Sequence, residues 1–148
     1  MGDGFELVWV EAGDARLAEA AGLRFRVLYE PFGVARDEMW RQAEPGVRHL
    51  LAVRDGRIAG YGCLIERGSE GQLRQLAVEP ESRGSGIGSA MLEELVAEAD
   101  RRRIRRVWCD ARVPYEEFYA RAGFATVSEQ FPSGATELPH VRMERTLR

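Results

Sequence analysis

The sequence predicts a mixed α/β (α+β) fold: a mixed sheet of about seven strands covered by about four helices, as one domain over residues 1–148. Three observations carry that expectation. Apolar runs of strand length recur along the chain. Asp55-Gly56 separates two of them, which is the signal of a two-residue hairpin turn. In mid-chain a long amphipathic segment follows a glycine-rich turn.

In chain order, Phe5–Val10 is the first strand candidate. Gly13-Asp14 opens a helical segment, with Asp14 as its N-cap, because a carboxylate there can accept from first-turn N–H groups. Leu17, Ala20, Ala21, Phe25 and Leu28 keep one face of that helix apolar, and Pro31 and Gly33 break it. Arg36–Ala43 reads as a second short helix, ended by Pro45-Gly46. His49–Arg54 and Arg57–Glu66 form the hairpin. Gly68–Gly71 turns the chain again, and Leu73–Val78 completes a meander that Pro80 stops.

The clearest helix is Ser85–Arg103. Ile87, Met91, Leu92, Leu95, Val96 and Ala99 recur at helical spacing, with Glu93, Glu94, Glu98 and Asp100 on the other side. Val107–Ala111 is a short buried strand. Tyr115–Ala122 is a short helix, and Gly123 is placed to end it in a left-handed conformation. Two last strands are expected near Ala125–Phe131 and Val141–Leu147.

Composition narrows the function classes. Apolar residues make up 45% of the chain and charged residues 30%, enough for a core and a soluble surface. A net charge of -3 gives no global attraction to nucleic acid or an anionic membrane. The first residues carry acids and lack a basic-then-apolar leader pattern, and no apolar run is long enough to span a bilayer; a cytoplasmic protein is expected. Cys63 and Cys109 sit in apolar runs with no CxxC spacing, so two buried free thiols are expected and no metal site. Arg101-Arg102-Arg103 and Arg105-Arg106 form a dense basic run. It closes the Ser85–Arg103 helix, where cations suit the C-terminal dipole, and reads as a solvated helix end.

The chemistry-bearing motif is Arg83-Gly84-Ser85-Gly86-Ile87-Gly88-Ser89, between a strand and a helix. First-turn N–H groups have no internal partner, and the helix dipole places partial positive charge there. Glycines let an anion approach those groups, and Arg83 adds a permanent charge with forked donors. A phosphate-bearing ligand fits. The loop lacks the lysine of a Walker motif, and its glycines follow GxGxG, not GxGxxG.

At this loop the chain resembles the GNAT superfamily of N-acetyltransferases, whose acetyl-CoA signature is Gln/Arg-x-x-Gly-x-Gly/Ala. Arg83, Gly86 and Gly88 match it, after the lead-in Leu76-Ala77-Val78-x-Pro80. A second element, Phe118-Tyr119-x-x-x-Gly123-Phe124, follows at the family's distance. Within the superfamily the chain looks most like the ElaA-like branch, on Leu23-Arg24-x-x-Val27 before Pro31 and on Pro139-His140-x-x-Met143.

The resemblance implies a mostly antiparallel sheet whose fourth and fifth strands, Leu73–Val78 and Val107–Ala111, splay apart. It implies acetyl-CoA as cosubstrate. Its pyrophosphate would sit on Arg83, Gly84, Ser85, Gly86, Ile87, Gly88 and Ser89, and its pantetheine arm along the backbone of Leu76, Ala77 and Val78 in β-augmentation style. Partners would be acetyl-CoA and an amine acceptor, in an assembly that includes homodimers in the family.

Acetyl transfer to an amine requires removal of a proton from the amine, stabilisation of an oxyanion and protonation of the departing thiolate. The resemblance implies Tyr119 as the acid and the Leu76 N–H as oxyanion donor. The general base stays open among Glu66, Glu70, Glu129 and His140. Relatives often have asparagine at the position of Asp110, which leaves any pantetheine contact by Asp110 in doubt. Two further readings stay open: a non-catalytic acyl-CoA-binding domain on the same fold, and an anion-binding module unrelated to CoA. Met39 and Trp40 could shape acceptor choice, and the acceptor itself is not legible.

Overall fold

A computed structural model of the chain describes residues 4–34, 46–133 and 136–147. Its sheet has eight strands: β1 (Glu6–Val10), β2 (Val47–Arg54), β3 (Arg57–Arg67), β4 (Glu70–Val78), β5 (Arg106–Arg112), β6 (Ala125–Thr126), β7 (Phe131–Ser133) and β8 (Leu138–Thr146). The order is β1-β2-β3-β4-β5-β8-β6, with β7 also on β8. Only β4 and β5 run parallel. Three α-helices, α1 (Leu17–Leu28), α2 (Ile87–Arg101) and α3 (Glu116–Arg121), cover it among the described residues. The mixed, mostly antiparallel sheet is as expected; the short helix expected over Arg36–Ala43, with Met39 and Trp40, lies outside the described residues.

Local chemistry explains the meander. Asp55 and Gly56 both have positive φ, 52° and 73°, so the turn twists with the strands it joins. Aspartate tolerates that region and glycine meets no steric penalty there. The chain then reverses through Gly68-Ser69 into β4, which starts three residues before the expected strand.

Two layers of core form on either face of the sheet. On one, α2 buries Ile87, Met91, Leu92 and Leu95 against Leu50, Leu64, Val107 and Met143. A Cβ at Gly60 would lie 2.6 Å from Met91 Sδ, so glycine is what lets α2 settle onto β3. On the other, Leu17, Ala20 and Leu23 of α1 cover Leu51, Ile58, Tyr61 and Ile65. Tyr61 and His49 form a buried polar pair there at 2.7 Å. Cys63 and Cys109 are buried free thiols.

Three local expectations shift. Asp14 does not cap α1: its carboxylate accepts from the Arg16 N–H at 2.8 Å and pairs with the Arg16 guanidinium at 2.9 Å, and the helix starts at Leu17. This short-range turn competes with capping and holds the Asp14 carboxyl down to about 2. The face of α1 is rotated, with Leu23 and Arg24 fully buried where Ala21 and Phe25 were expected. The strand expected over Ala125–Phe131 is two, β6 and β7. Between them Ser128 Oγ accepts the Arg142 N–H at 2.8 Å, replacing a ladder bond.

The basic run is partly neutralised, three of its five arginines being ion-paired among the described residues. Arg101 pairs with Glu94 and Glu98, Arg102 with Glu66, and Arg106 with Glu70 and Glu144. No helix among the described residues is long and apolar enough to cross a membrane.

Candidate active site

The site exists because β4 and β5 part. Their parallel register covers Glu70↔Arg106, Gly71↔Val107 and Gln72↔Trp108 and goes no further. A bulge in β4 assists: Tyr61 and Cys63, two residues apart on β3, face Ala77 and Arg74, three apart on β4. Beyond it, the Glu79 N–H donates to Ala59 O at 2.8 Å, toward β3. Strand alternation then aims the backbone of Val78 and Leu76 into the opening.

One cleft, of about 370 Å³, runs from the opening to the start of α2. Leu76, Ala77, Val78, Arg83, Gly84, Gly86, Ile87, Gly88 and Ser89 line it, with Tyr119, Phe118 and Arg112 on the far wall. Gly84 and Gly86 have φ of 85° and 89°, and Gly86 is the N-cap of α2. The loop's own bonds divide its donors. Arg83 N–H donates to Pro80 O and Ser85 N–H to Ser82 O, both at 3.3 Å. Ser85 Oγ also donates to Ser82 O. The first bond of the helix is Ala90 N–H to Gly86 O, 3.0 Å. Among the described residues, the N–H groups of Gly84, Gly86, Ile87, Gly88 and Ser89 therefore have no protein acceptor, and all five line the cleft. Of the expected cradle, Ser85 alone does not line it and Arg83 offers its side chain, not its N–H.

A second cavity, of about 240 Å³, lies across the opening. It shares Leu28, Leu76, Arg112, Tyr115 and Tyr119 with the first. Asp110 and His140 line this second cavity and not the first. Asp110 is held by Arg142, at 2.9 and 3.2 Å to its two oxygens, and Arg142 lies 4.1 Å from the Trp108 ring centre.

Tyr119 stands where the cavities meet. Its ring is edge-on to Phe118 at 5.1 Å and to Phe124 at 5.8 Å. Gly123, at φ 93°, ends α3 so that Phe124 can return its N–H to Tyr119 O at 3.1 Å. Burial, reinforced by Cys109 and Tyr115, pushes the Tyr119 phenol well above its ordinary range. Among the described residues its hydroxyl is not spent on a hydrogen bond to a backbone carbonyl.

The four candidate bases separate. Glu66 and Glu70 pair with Arg102 and Arg106 at the closed end of the strands, and Glu129 is exposed in the β6–β7 connection and lines neither cavity. Glu129 is thereby corrected: the segment meant to carry it as strand is interrupted, and the side chain is left outside. His140 remains. Its Nδ1 lies 2.6 Å from Leu138 O, and a carbonyl only accepts, so Nδ1 carries a hydrogen, and the tautomer this selects has its lone pair on Nε2.

Arg74, Arg112, Tyr115 and Ser82 also line the cavities and were missed. Nothing local marks them; each arrives by strand pairing or by a turn between distant elements.

Residues 15–124 match the acetyltransferase (GNAT) family. The chain is 34% identical over 137 residues to the mycothiol acetyltransferase of Nocardia farcinica, covering 87% of this chain and 44% of that protein. It is 39% identical over 114 residues to that of Actinosynnema mirum, covering 70% and 37%. The chain thus spans less than half the length of these curated relatives. The crystal structure of Escherichia coli ElaA superposes with a TM-score of 0.83 at 18% identity, covering 96% of this chain and 99% of that one, which is a likeness of fold. With the family match running from the start of α1 through Phe124, the chain belongs to the GNAT acetyltransferase family.

Proposed function

We propose that the protein transfers the acetyl group of acetyl-CoA to an amine in a ternary complex. The observation that carries this reading is the pair of cavities meeting at Leu76 and Tyr119. The cleft supports the donor, with pyrophosphate at the five free N–H groups and Arg83, and the pantetheine arm along Leu76–Val78. The second cavity supports the acceptor. Cys109, Asp110 and Ala111 face that side, so pantetheine does not require Asp110.

The amine attacks the thioester carbonyl, forming C–N as the carbonyl oxygen takes charge. Leu76 N–H, at the β4 bulge, stabilises that oxygen. His140 Nε2 takes the proton lost by nitrogen. The C–S bond then breaks and the sulfur takes a proton, for which Tyr119 is positioned. The raised phenol stays neutral, and it is a weaker acid than an exposed tyrosine. Its first contribution is a hydrogen bond to the departing sulfur, with proton transfer following; the proton on His140 returns through water to restore the phenol.

The test is an amine panel scored by CoA release. Turnover of any amine supports the reading. Tight acetyl-CoA binding with no turnover across the panel overturns it in favour of a binding domain. Cytoplasmic location and homodimer formation belong to the same proposal, and fractionation and size-exclusion chromatography test them.

A further inference from the structure

We infer that the acceptor carries an oxyanion, a carboxylate or phosphate, alongside its amine, and that Arg74 and Arg112 bind it. This rests on the second cavity being the acceptor side. Its charges do not balance. Among the described residues Asp110 is its only carboxylate, and both Asp110 oxygens are taken by Arg142. Two guanidiniums also line it, and neither Arg74 nor Arg112 has an ion-pair partner among the described residues. A cavity whose described residues supply two unpaired cations and no free anion repels a polycationic amine and attracts an anionic one.

Arg112 is held in place, and Arg74 is set by the register of its strand. Arg112 donates from one terminal nitrogen to Leu28 O at 2.6 Å and lies 4.6 Å from the Phe32 ring centre. That contact uses one donor of five, and the ring contact orients the guanidinium without consuming the others. Arg74 is half-buried opposite Cys63 in the β3–β4 register. Partial burial of both strengthens the attraction for an anion relative to a surface arginine. Gln72, Ser133, Thr136, His140 and the phenols of Tyr29, Tyr115 and Tyr119 make up the rest of its polar lining, and none of them is a carboxylate.

The experiment uses matched acceptors. Glycine, L-alanine, L-methionine and L-glutamate are compared with their carboxamides, and O-phosphoethanolamine with ethanolamine, by CoA release. The anionic member of a pair is expected to win by at least about tenfold in kcat/KM, chiefly through KM, as charge-assisted bonds imply. Added salt narrows the gap. Preference for the amino acids or for the phosphate identifies the oxyanion. Arg74→Gln, which touches the second cavity and not the cleft, should abolish the gap while acetyl-CoA Kd stays within about twofold. Equal rates within every pair, or a gap that survives Arg74→Gln in a folded variant, overturn the inference.

A binding arm separates this from the transfer reading. N-acetylated amino acids and their amides are titrated calorimetrically into the protein with CoA present. Oxyanion-dependent binding that Arg74→Gln removes upholds the inference even where no amine turns over. No difference between acid and amide overturns it.

Discussion

Gln72 and Trp108 are the last paired residues of the parallel strands β4 and β5. Past that pair the strands diverge, and the gap between them is floored by the Leu76 bulge and roofed by Tyr119. The divergence places two cavities on opposite sides of one opening, sharing five residues.

Removal of the Tyr119 hydroxyl tests its role at that opening. Tyr119→Phe keeps both edge-on ring contacts, so stability should change little. Turnover should fall at least about tenfold with acetyl-CoA affinity unchanged, the signature of an interaction made in the transition state. Single-turnover kinetics and calorimetry decide it; an unaltered rate removes Tyr119 from the chemistry.

Gly88→Ala separates ligand binding from folding. A Cβ there meets Val78 and Phe118 at 3.6 and 3.7 Å, ordinary contacts, and alanine favours a helix by up to about 1 kcal/mol over glycine. The melting temperature should hold or rise. Acetyl-CoA affinity should drop by about tenfold, because the added methyl group crowds the cleft at one of the five free N–H groups that the pyrophosphate would approach. Unimpaired affinity would place the pyrophosphate elsewhere.

His140→Gln tests the base. Glutamine retains a donor for Leu138 O and loses the proton-accepting ring nitrogen. The rate should fall about 100-fold or more, the low end of general-base contributions. A rate within about threefold of the parent assigns proton removal to another group.

Cys109 predicts an alkaline limit to stability. Burial first, then the Asp110 charge, pushes its thiol up to about 12 from 9.0. A raised folded-state value favours the protonated thiol, so its contribution is intact below pH 9 and lost as pH rises from 9 to 12. The slope approaches about 1.4 kcal/mol per pH unit for this group. Denaturant melts of Cys109→Ala across that range should show a shallower loss than the parent; parallel curves contradict the assignment.

Legibility followed the range of the interactions. Asp55-Gly56 was readable because two neighbouring residues with positive φ define the turn. The α2 core face was readable because helical periodicity repeats within one segment, and all six of its expected core residues, Ile87 to Ala99, are buried. The glycine loop was readable because donors without partners are a property of any helix start. Asp14 shows the limit: a competing bond two residues away redirected the carboxylate. The Ala125–Phe131 strand failed for a related reason, since Ser128 takes an N–H from a strand fourteen positions on.

By itself, then, the sequence determined the local geometry of the Arg83–Ser89 loop, a strand-to-helix turn with unpartnered donors, and of the Tyr119–Phe124 element, a helix ended at Gly123, because both are written in adjacent residues. Tertiary structure decided the rest. It ended the β4–β5 register at Gln72 and Trp108, left Glu66, Glu70 and Glu129 outside, and brought His140, Arg74 and Arg112 to one cavity. Those outcomes depend on strand register and on where ion pairs close between segments 32 to 36 positions apart, and neither leaves a mark in local spacing.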